Sequence, residues 1–307
     1  MLKRTIALLC ALILCLGLFA SCGGEKDISS EEKKETNTFL KAPQLSADYQ
    51  PTYEISVADV SDGLGISGGI SYKFKQKNFD DFKPPQTVKI TLDGKEMTVS
   101  GGVNPSYRFK QYYPVYNYSV PGTEIDIKMD PYGNVLEYEV DDFVSAESAP
   151  IMTDEEYERI ALDFLASFID ISELEITLSR VSTNLDGYVV HFAQYVNGMK
   201  TSGHGEIVVA YDGQVESYVA YDINLISKDT VNPFDMEEVK AKVEAYTAEI
   251  TENKEKEYDE VNCTYDYQLT MLADGNLAIY CEVEVKCITY YVDEYSVRSG
   301  LLELVIQ

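Results

Sequence analysis

The sequence predicts an α+β fold of tandem small units, each an antiparallel sheet packed by one helix, with the first unit mostly β. Three observations carry this: two amphipathic helical stretches, β-rich runs punctuated by glycine turns, and an internal repeat of those runs at nearly constant spacing.

At the N-terminus, Lys3 and Arg4 precede an apolar run from Ile6 to Leu18, and Phe19-Ala20-Ser21-Cys22-Gly23-Gly24 follows. A basic start, a short apolar run and small residues mark residues 1–21 as a secretory signal peptide. Even extended to Ala20, the run would rise only about 22 Å as a helix, short of the roughly 30 Å of bilayer hydrocarbon. Leu18-Phe19-Ala20-Ser21-Cys22 resembles a lipobox, with Phe19 where a smaller aliphatic residue is usual. Cys22 is therefore the expected lipidation site, since two acyl chains on one residue suffice for stable anchoring. The competing reading is a plain secreted protein cut nearby. Gly23 to Thr38 is polar and lacks aromatic residues, so residues 22–38 read as the lipidated cysteine and a flexible tether with a reach on the order of 20 Å.

The formal net charge of −27 becomes −29 once residues 1–21, with Lys3 and Arg4, are removed. So acidic a chain repels phosphate backbones and anionic headgroups, which argues against nucleic-acid binding.

Three units follow, at 39–145, 150–228 and 232–307. The first holds a hairpin from Thr87 to Ser100 turning at Asp93-Gly94 and no helix at its start. The second opens with the capping-box pattern Thr153-Asp154-Glu155-Glu156, and Tyr157, Ile160, Ala161, Phe164, Leu165 and Phe168 then recur at helical spacing. The third opens after Pro233 with Asp235 as N-cap and Met236, Val239, Val243, Tyr246 and Ile250 along one stripe. The repeat ties the first two units together. Phe109-Lys110-Gln111-Tyr112 parallels Phe192-Ala193-Gln194-Tyr195, and Gly133-Asn134-Val135-Leu136-Glu137-Tyr138 parallels Gly213-Gln214-Val215-Glu216-Ser217-Tyr218. In the third, Asp274-Gly275 is matched to Asp186-Gly187, and the unit reads as truncated before a counterpart of Val215 to Asp222.

The phrase from Tyr188-Val189-Val190-His191-Phe192 through Gly205-Glu206-Ile207-Val208-Val209 to Gly213-Gln214-Val215 resembles a PepSY-type module and is similar to YycH/YycI-like regulatory ectodomains. The resemblance covers residues 150–225 best. It implies a module of the cell envelope that inhibits or assists a protease, or restrains a sensor kinase from outside. The lipobox in place of a transmembrane anchor departs from the kinase regulators, and the lack of a downstream protease domain departs from the propeptides.

No His-Glu-x-x-His, Gly-x-Ser-x-Gly, Walker loop or Cys-x-x-Cys occurs, so no catalytic residue, metal ligand or cofactor is expected. Ser202-Gly203-His204-Gly205-Glu206 places triad chemistries together but reads as a hairpin turn, and His191 reads as a sheet-face residue. The acidic clusters at Asp141-Asp142 and Asp154-Glu155-Glu156 fit no EF-hand loop. Cys263 and Cys287 flank Asp274-Gly275, where a three-residue loop would set them opposite for a disulfide; three buried thiols, Cys281 included, is the equal alternative. Tyr112, Tyr113, Tyr116 and Tyr118 form the expected partner-binding surface, against the reading that tyrosines simply pack on a pleated face. The function expected is that of a non-enzymatic envelope lipoprotein on the outer face of the cytoplasmic membrane of a Gram-positive cell. It would bind or regulate an envelope protease or another envelope protein, or else serve as a structural or glycan-binding surface protein.

Overall fold

A computed structural model describes residues 38–61, 77–92, 94–101, 105–108, 113–140, 152–180, 187–292 and 294–307, all within the compact unit Thr36–Gln307. The signal stretch, Cys22 and Asp141-Asp142 lie outside the described residues. Strands β1 (Ile55–Val60), β2 (Thr87–Leu92), β3 (Lys95–Gly101), β4 (Ser106–Arg108), β5 (Tyr113–Ser119), β6 (Ile125–Met129) and β7 (Val135–Val140) come first. Helix α1 (Asp154–Leu165) precedes β8 (Leu174–Arg180), β9 (Gly187–Val196), β10 (Met199–Ala210) and β11 (Val215–Tyr221). Helix α2 (Met236–Thr251) precedes β12 (Glu260–Met271), β13 (Leu277–Tyr290) and β14 (Tyr295–Ile306).

These strands overturn the expectation of tandem α+β units. They join in one 14-stranded mixed sheet, ordered β1-β14-β13-β12-β10-β11-β7-β6-β5-β3-β2, with β4 on β5 and β8 and β9 beyond β10. With two α-helices among the described residues, the unit is nearly all-β. Strands of different repeats pair with each other: β7 with β11 antiparallel, and β10 with β12 parallel at Thr201 and Leu269.

Both helices form where their periodicity and caps place them. Thr153 closes a complete capping box with Glu156, and α1 buries Tyr157, Ala161, Phe164 and Leu165. Asp235 accepts from the Glu237 and Glu238 amides, and α2 buries Val239 and Val243. Each helix covers its own core. Under α1 lie Tyr118, Ile127, Phe192, Ile207 and Tyr218; under α2 lie Leu269, Ile279, Val283, Leu302 and Ile306.

The repeat has a geometric form. Tyr138 and Tyr218, equivalent in sequence, are direct partners across β7 and β11, with Glu137 opposite Val219 and Glu139 opposite Ser217. Equivalent residues meeting in an antiparallel pair is the arrangement of a local two-fold axis. Both hairpins carry a bulge, between Lys128 and Met129 and between Val208 and Val209. The two turns also repeat: the Asp130 amide donates to Asn134 O and Gly133 to Asp130 O, as Ala210 does to Gln214 O and Gly213 to Ala210 O. Leu272 to Asn276 repeats both bonds, and Gly133, Gly213 and Gly275 have φ of +88, +83 and +88°, a region open to glycine. The third copy is thus in phase with Gly133 and Gly213, not with Asp186-Gly187 as the turn chemistry suggested; Asp186 itself lies outside the described residues.

A second correction concerns residues 198–206. The turn is Asn197-Gly198 alone, with φ of +52 and +77° as a two-residue primed turn requires. Ser202 to Glu206 runs inside the continuous strand β10.

Candidate functional site

An aromatic concavity lies between residues 79–86 and the β4–β5 pair. Local chemistry builds its wall: Asn78 Oδ1 accepts from the Asp80 amide at 2.8 Å, and the Phe82 amide returns to Phe79 O at 2.8 Å, folding the segment into a turn. Phe79 drops into a small core with Tyr113, Val115, Leu136 and Leu225. Phe82 packs edge-on against Tyr116 at 5.4 Å between ring centroids, and Tyr118 Oη donates to Pro85 O at 2.9 Å. Opposite that wall, Tyr107 pairs with Pro114. The result is a cleft of about 410 Å³ bounded by Phe79, Phe82, Pro84, Tyr107, Pro114 and Tyr116, with Asp80, Lys83 and Gln86 as its polar groups. Tyr107 is 61 % exposed and offers its ring to the cleft.

The tyrosines singled out from the sequence are mostly core residues. Tyr113, Tyr116 and Tyr118 are at most 3 % exposed, so they cannot form a surface patch; Tyr112 lies outside the described residues. The reason is that β5 is covered on both faces, Tyr113 and Val115 facing one core and Tyr116 and Tyr118 the other. Burial pushes the Tyr116 and Tyr118 hydroxyls up to about 12, so they stay protonated donors. Among the described members of this group, Tyr116 lines the cleft. Tyr107, Phe79 and Phe82 escaped the sequence reading; a Pro-rich, aromatic stretch at Phe79 to Pro85 was the signal available.

Behind the cleft wall begins the segment that the comparisons recognise. Residues 117–222 match the YcdB, YcdC repeated domain. The match covers about a third of the chain, taking in the end of β5, both hairpins that the repeat equates, and α1 between them. No curated protein and no solved structure matches the chain.

The matched segment ends on a polar knot. Asp222, in the left-handed region at φ +50°, accepts from Tyr113 Oη at 3.3 Å; Asn224, at +58°, donates its amide to Gln194 Oε1 at 3.2 Å and its side chain to Phe168 O at 2.9 Å. Burial raises the Asp222 carboxyl to about 6, opposed by hydrogen bonds from Ser202 and Tyr113 and by nearby His204. At the other end of the repeat Asp130 is fully buried, and burial raises it to about 6 although the Tyr132 and Asn134 amides and the Asn134 side chain donate to it.

The same segment holds the serine and histidines weighed for chemistry. Ser202 Oγ meets Thr270 Oγ1 at 3.0 Å, whereas His204 Nδ1 lies 2.8 Å from the Ser202 carbonyl oxygen and Glu206 pairs with His191 across the ladder at 3.6 Å. His204 thus turns its Nδ1 to the Ser202 carbonyl oxygen and not to its hydroxyl, and His191 and Glu206 are partners in the β9–β10 ladder. Asp154, Glu155 and Glu156 form the first turn of α1, where their charge complements the helix dipole. Beyond the segment, Cys263, Cys281 and Cys287 are free thiols. The β12–β13 loop holds five residues, not three, so Cys263 faces Val285 and Cys287 faces Val261; the two cysteines are diagonal neighbours. Among the described residues, no helix is long and apolar enough to cross a membrane.

Proposed function

We propose that this chain is a non-enzymatic envelope lipoprotein, anchored through Cys22 on the outer face of the cytoplasmic membrane of a Gram-positive cell, that holds an extended segment of an envelope protein in the Tyr107 cleft. The observation that carries the reading is the cleft itself: four aromatic rings and several prolines around about 410 Å³, with an exposed tyrosine at its mouth. Such a groove suits an apolar, extended polypeptide stretch, in the way proline-rich segments dock on aromatic surfaces. Asp80, Lys83 and Gln86 supply few polar groups for a sugar chain, whose many hydroxyls would be desolvated unpaired. The likeness of residues 150–225 to PepSY-type and YycH/YycI-like modules supports a regulatory role, with a protease as one partner. A glycan remains the second reading because an exposed tyrosine ring stacks on sugar faces as readily as on proline.

The test is retention from a solubilised native envelope on the immobilised chain, wild type against Tyr107→Ser. A protein held by the wild type and reduced about tenfold by the substitution is the outcome expected. Retention on purified peptidoglycan with no protein retained would favour the glycan reading, and equal retention by both forms would refute the cleft.

A further inference from the structure

A second surface lies at the other end of the sheet. β1 pairs with β14 only as far as Val60 opposite Leu302, the Ser61 amide adding a last bond to Leu301 O at 2.8 Å. Beyond that point no described strand pairs with the outer edge of β14 from Tyr295 to Gly300. Backbone parity says which groups that edge offers. The Leu301 amide bonds Ser61 Oγ at 2.7 Å, so odd residues of β14 point away from β13. Tyr295, Val297 and Ser299 therefore direct their N–H and C=O groups outward. Among the described residues this edge is unpaired, and its β-prone residues, with Arg298 as their one charge, are a template for another strand.

The side chains beside this edge form one face. Tyr290 opposite Tyr295, Ile288 opposite Val297, Lys286 opposite Ser299 and Glu284 opposite Leu301 are successive rows of it, and Tyr295 and Val297 are 67 and 47 % exposed. The next row crosses four strands in register: Asp266, Glu282, Glu303 and Asp59. Like charges set directly opposite repel, which makes this row a region of negative potential. Against these carboxylates and Glu284, the face sets Lys200, 2.6 Å from Asp266, and Lys286, 2.9 Å from Glu284. Over it opens a shallow concavity of about 520 Å³ bordered by Ser61, Thr264, Asp266, Glu282, Glu284 and Leu301, and by Ser299 and Gly300 of the open edge itself.

We propose that β14 receives, by strand addition at Tyr295 to Gly300, an extended basic segment of a partner protein. The partner's apolar side chains lie beside Tyr295 and Val297, and a lysine or arginine facing Ser299 enters the carboxylate concavity. Charge complementarity selects this occupant. A second copy of the chain, itself strongly acidic, is repelled from the same face.

The experiment titrates the full chain against a labelled peptide alternating valine and lysine, with a valine–glutamate peptide as control, at low and high salt. The lysine peptide binds, weakens with salt, and outcompetes the control by at least about tenfold. Val297→Pro removes an outward N–H without touching the β13–β14 ladder and weakens binding about tenfold, with the thermal midpoint unchanged. The lysine peptide N-methylated on alternate residues makes the same point with the protein intact. E282Q/E284Q removes most of the salt dependence, while Tyr107→Ser leaves binding unaltered. Equal binding of both peptides, indifference to Val297→Pro and N-methylation, or self-association of the chain without peptide would each overturn the proposal.

Discussion

Asp130 gives a stability experiment whose sign and size follow from the structure. Its carboxyl is fully buried in the turn between β6 and β7, and burial holds it at about 6 against 3.8 for the exposed group. Above pH 6 the folded protein must keep a buried carboxylate ionised, which the unfolded chain does freely. The stabilisation is therefore complete below about pH 4, where both states are protonated, and is lost as pH rises through 6. A shift of about 2 units is worth about 3 kcal/mol in all, at about 1.4 kcal/mol per unit. Because the isoelectric point is about 4.3, urea unfolding is best followed from pH 5.0 to 7.5, where about 1.5 kcal/mol of this is expected. Asp130→Asn abolishes the term. It also disturbs the bond from the Asn134 side chain, whose preference for the ionised carboxyl is already contained in the net shift. The stability difference between variant and wild type should therefore move by about 1.5 kcal/mol in the variant's favour between pH 5.0 and 7.5. Parallel curves would show that Asp130 titrates as an exposed carboxyl and that the turn is not built as described.

Three further outcomes follow from packing. Gly205→Ala should cost at least about 3 kcal/mol in urea unfolding, since a Cβ there would lie 2.3 Å from Val219 O and 2.6 Å from Phe192 Cζ; a loss under 1 kcal/mol would contradict the β10–β11 contact. Thr153→Ala, which removes the capping box of α1, should cost about 1 kcal/mol, and no loss would mean that the helix start is held by packing alone. In the mature denatured protein, Cys263, Cys281 and Cys287 should titrate as three thiols, with Cys281 slowest in the native state because burial pushes it up to about 12. A single thiol would restore a disulfide between Cys263 and Cys287.

Local features were legible in the sequence and long-range pairing was not. The caps at Thr153 and Asp235 and the hydrophobic stripes behind them placed both helices, and Asp93-Gly94 placed the β2–β3 hairpin, because each signal is complete within a few residues. The partnerships of β7 with β11 and of β10 with β12 have no local signature, so separate sheets were expected where one sheet runs through. The same limit misjudged the tyrosines. Tyr113, Pro114, Val115 and Tyr116 are buried in succession because β5 is covered on both faces, and nothing within the strand announces its second cover. The third repeat slipped in phase because Asp186-Gly187 and Asp274-Gly275 share a dipeptide, while the turn bonds that relate Gly275 to Gly133 and Gly213 are backbone geometry. Of the candidate site, Tyr116 was singled out from the sequence, whereas Phe79 and Phe82 were visible only as a composition bias at Phe79 to Pro85, since the cleft forms by bringing that stretch against the β4–β5 pair.

The most direct test of partner capture in the Tyr107 cleft is site-specific photo-crosslinking from position 107 in intact cells. The account predicts a covalent adduct with one envelope protein that vanishes when the crosslinker is moved to Tyr211, an exposed tyrosine outside the cleft. Adducts with glycan alone, or the same protein captured equally from both positions, would contradict it.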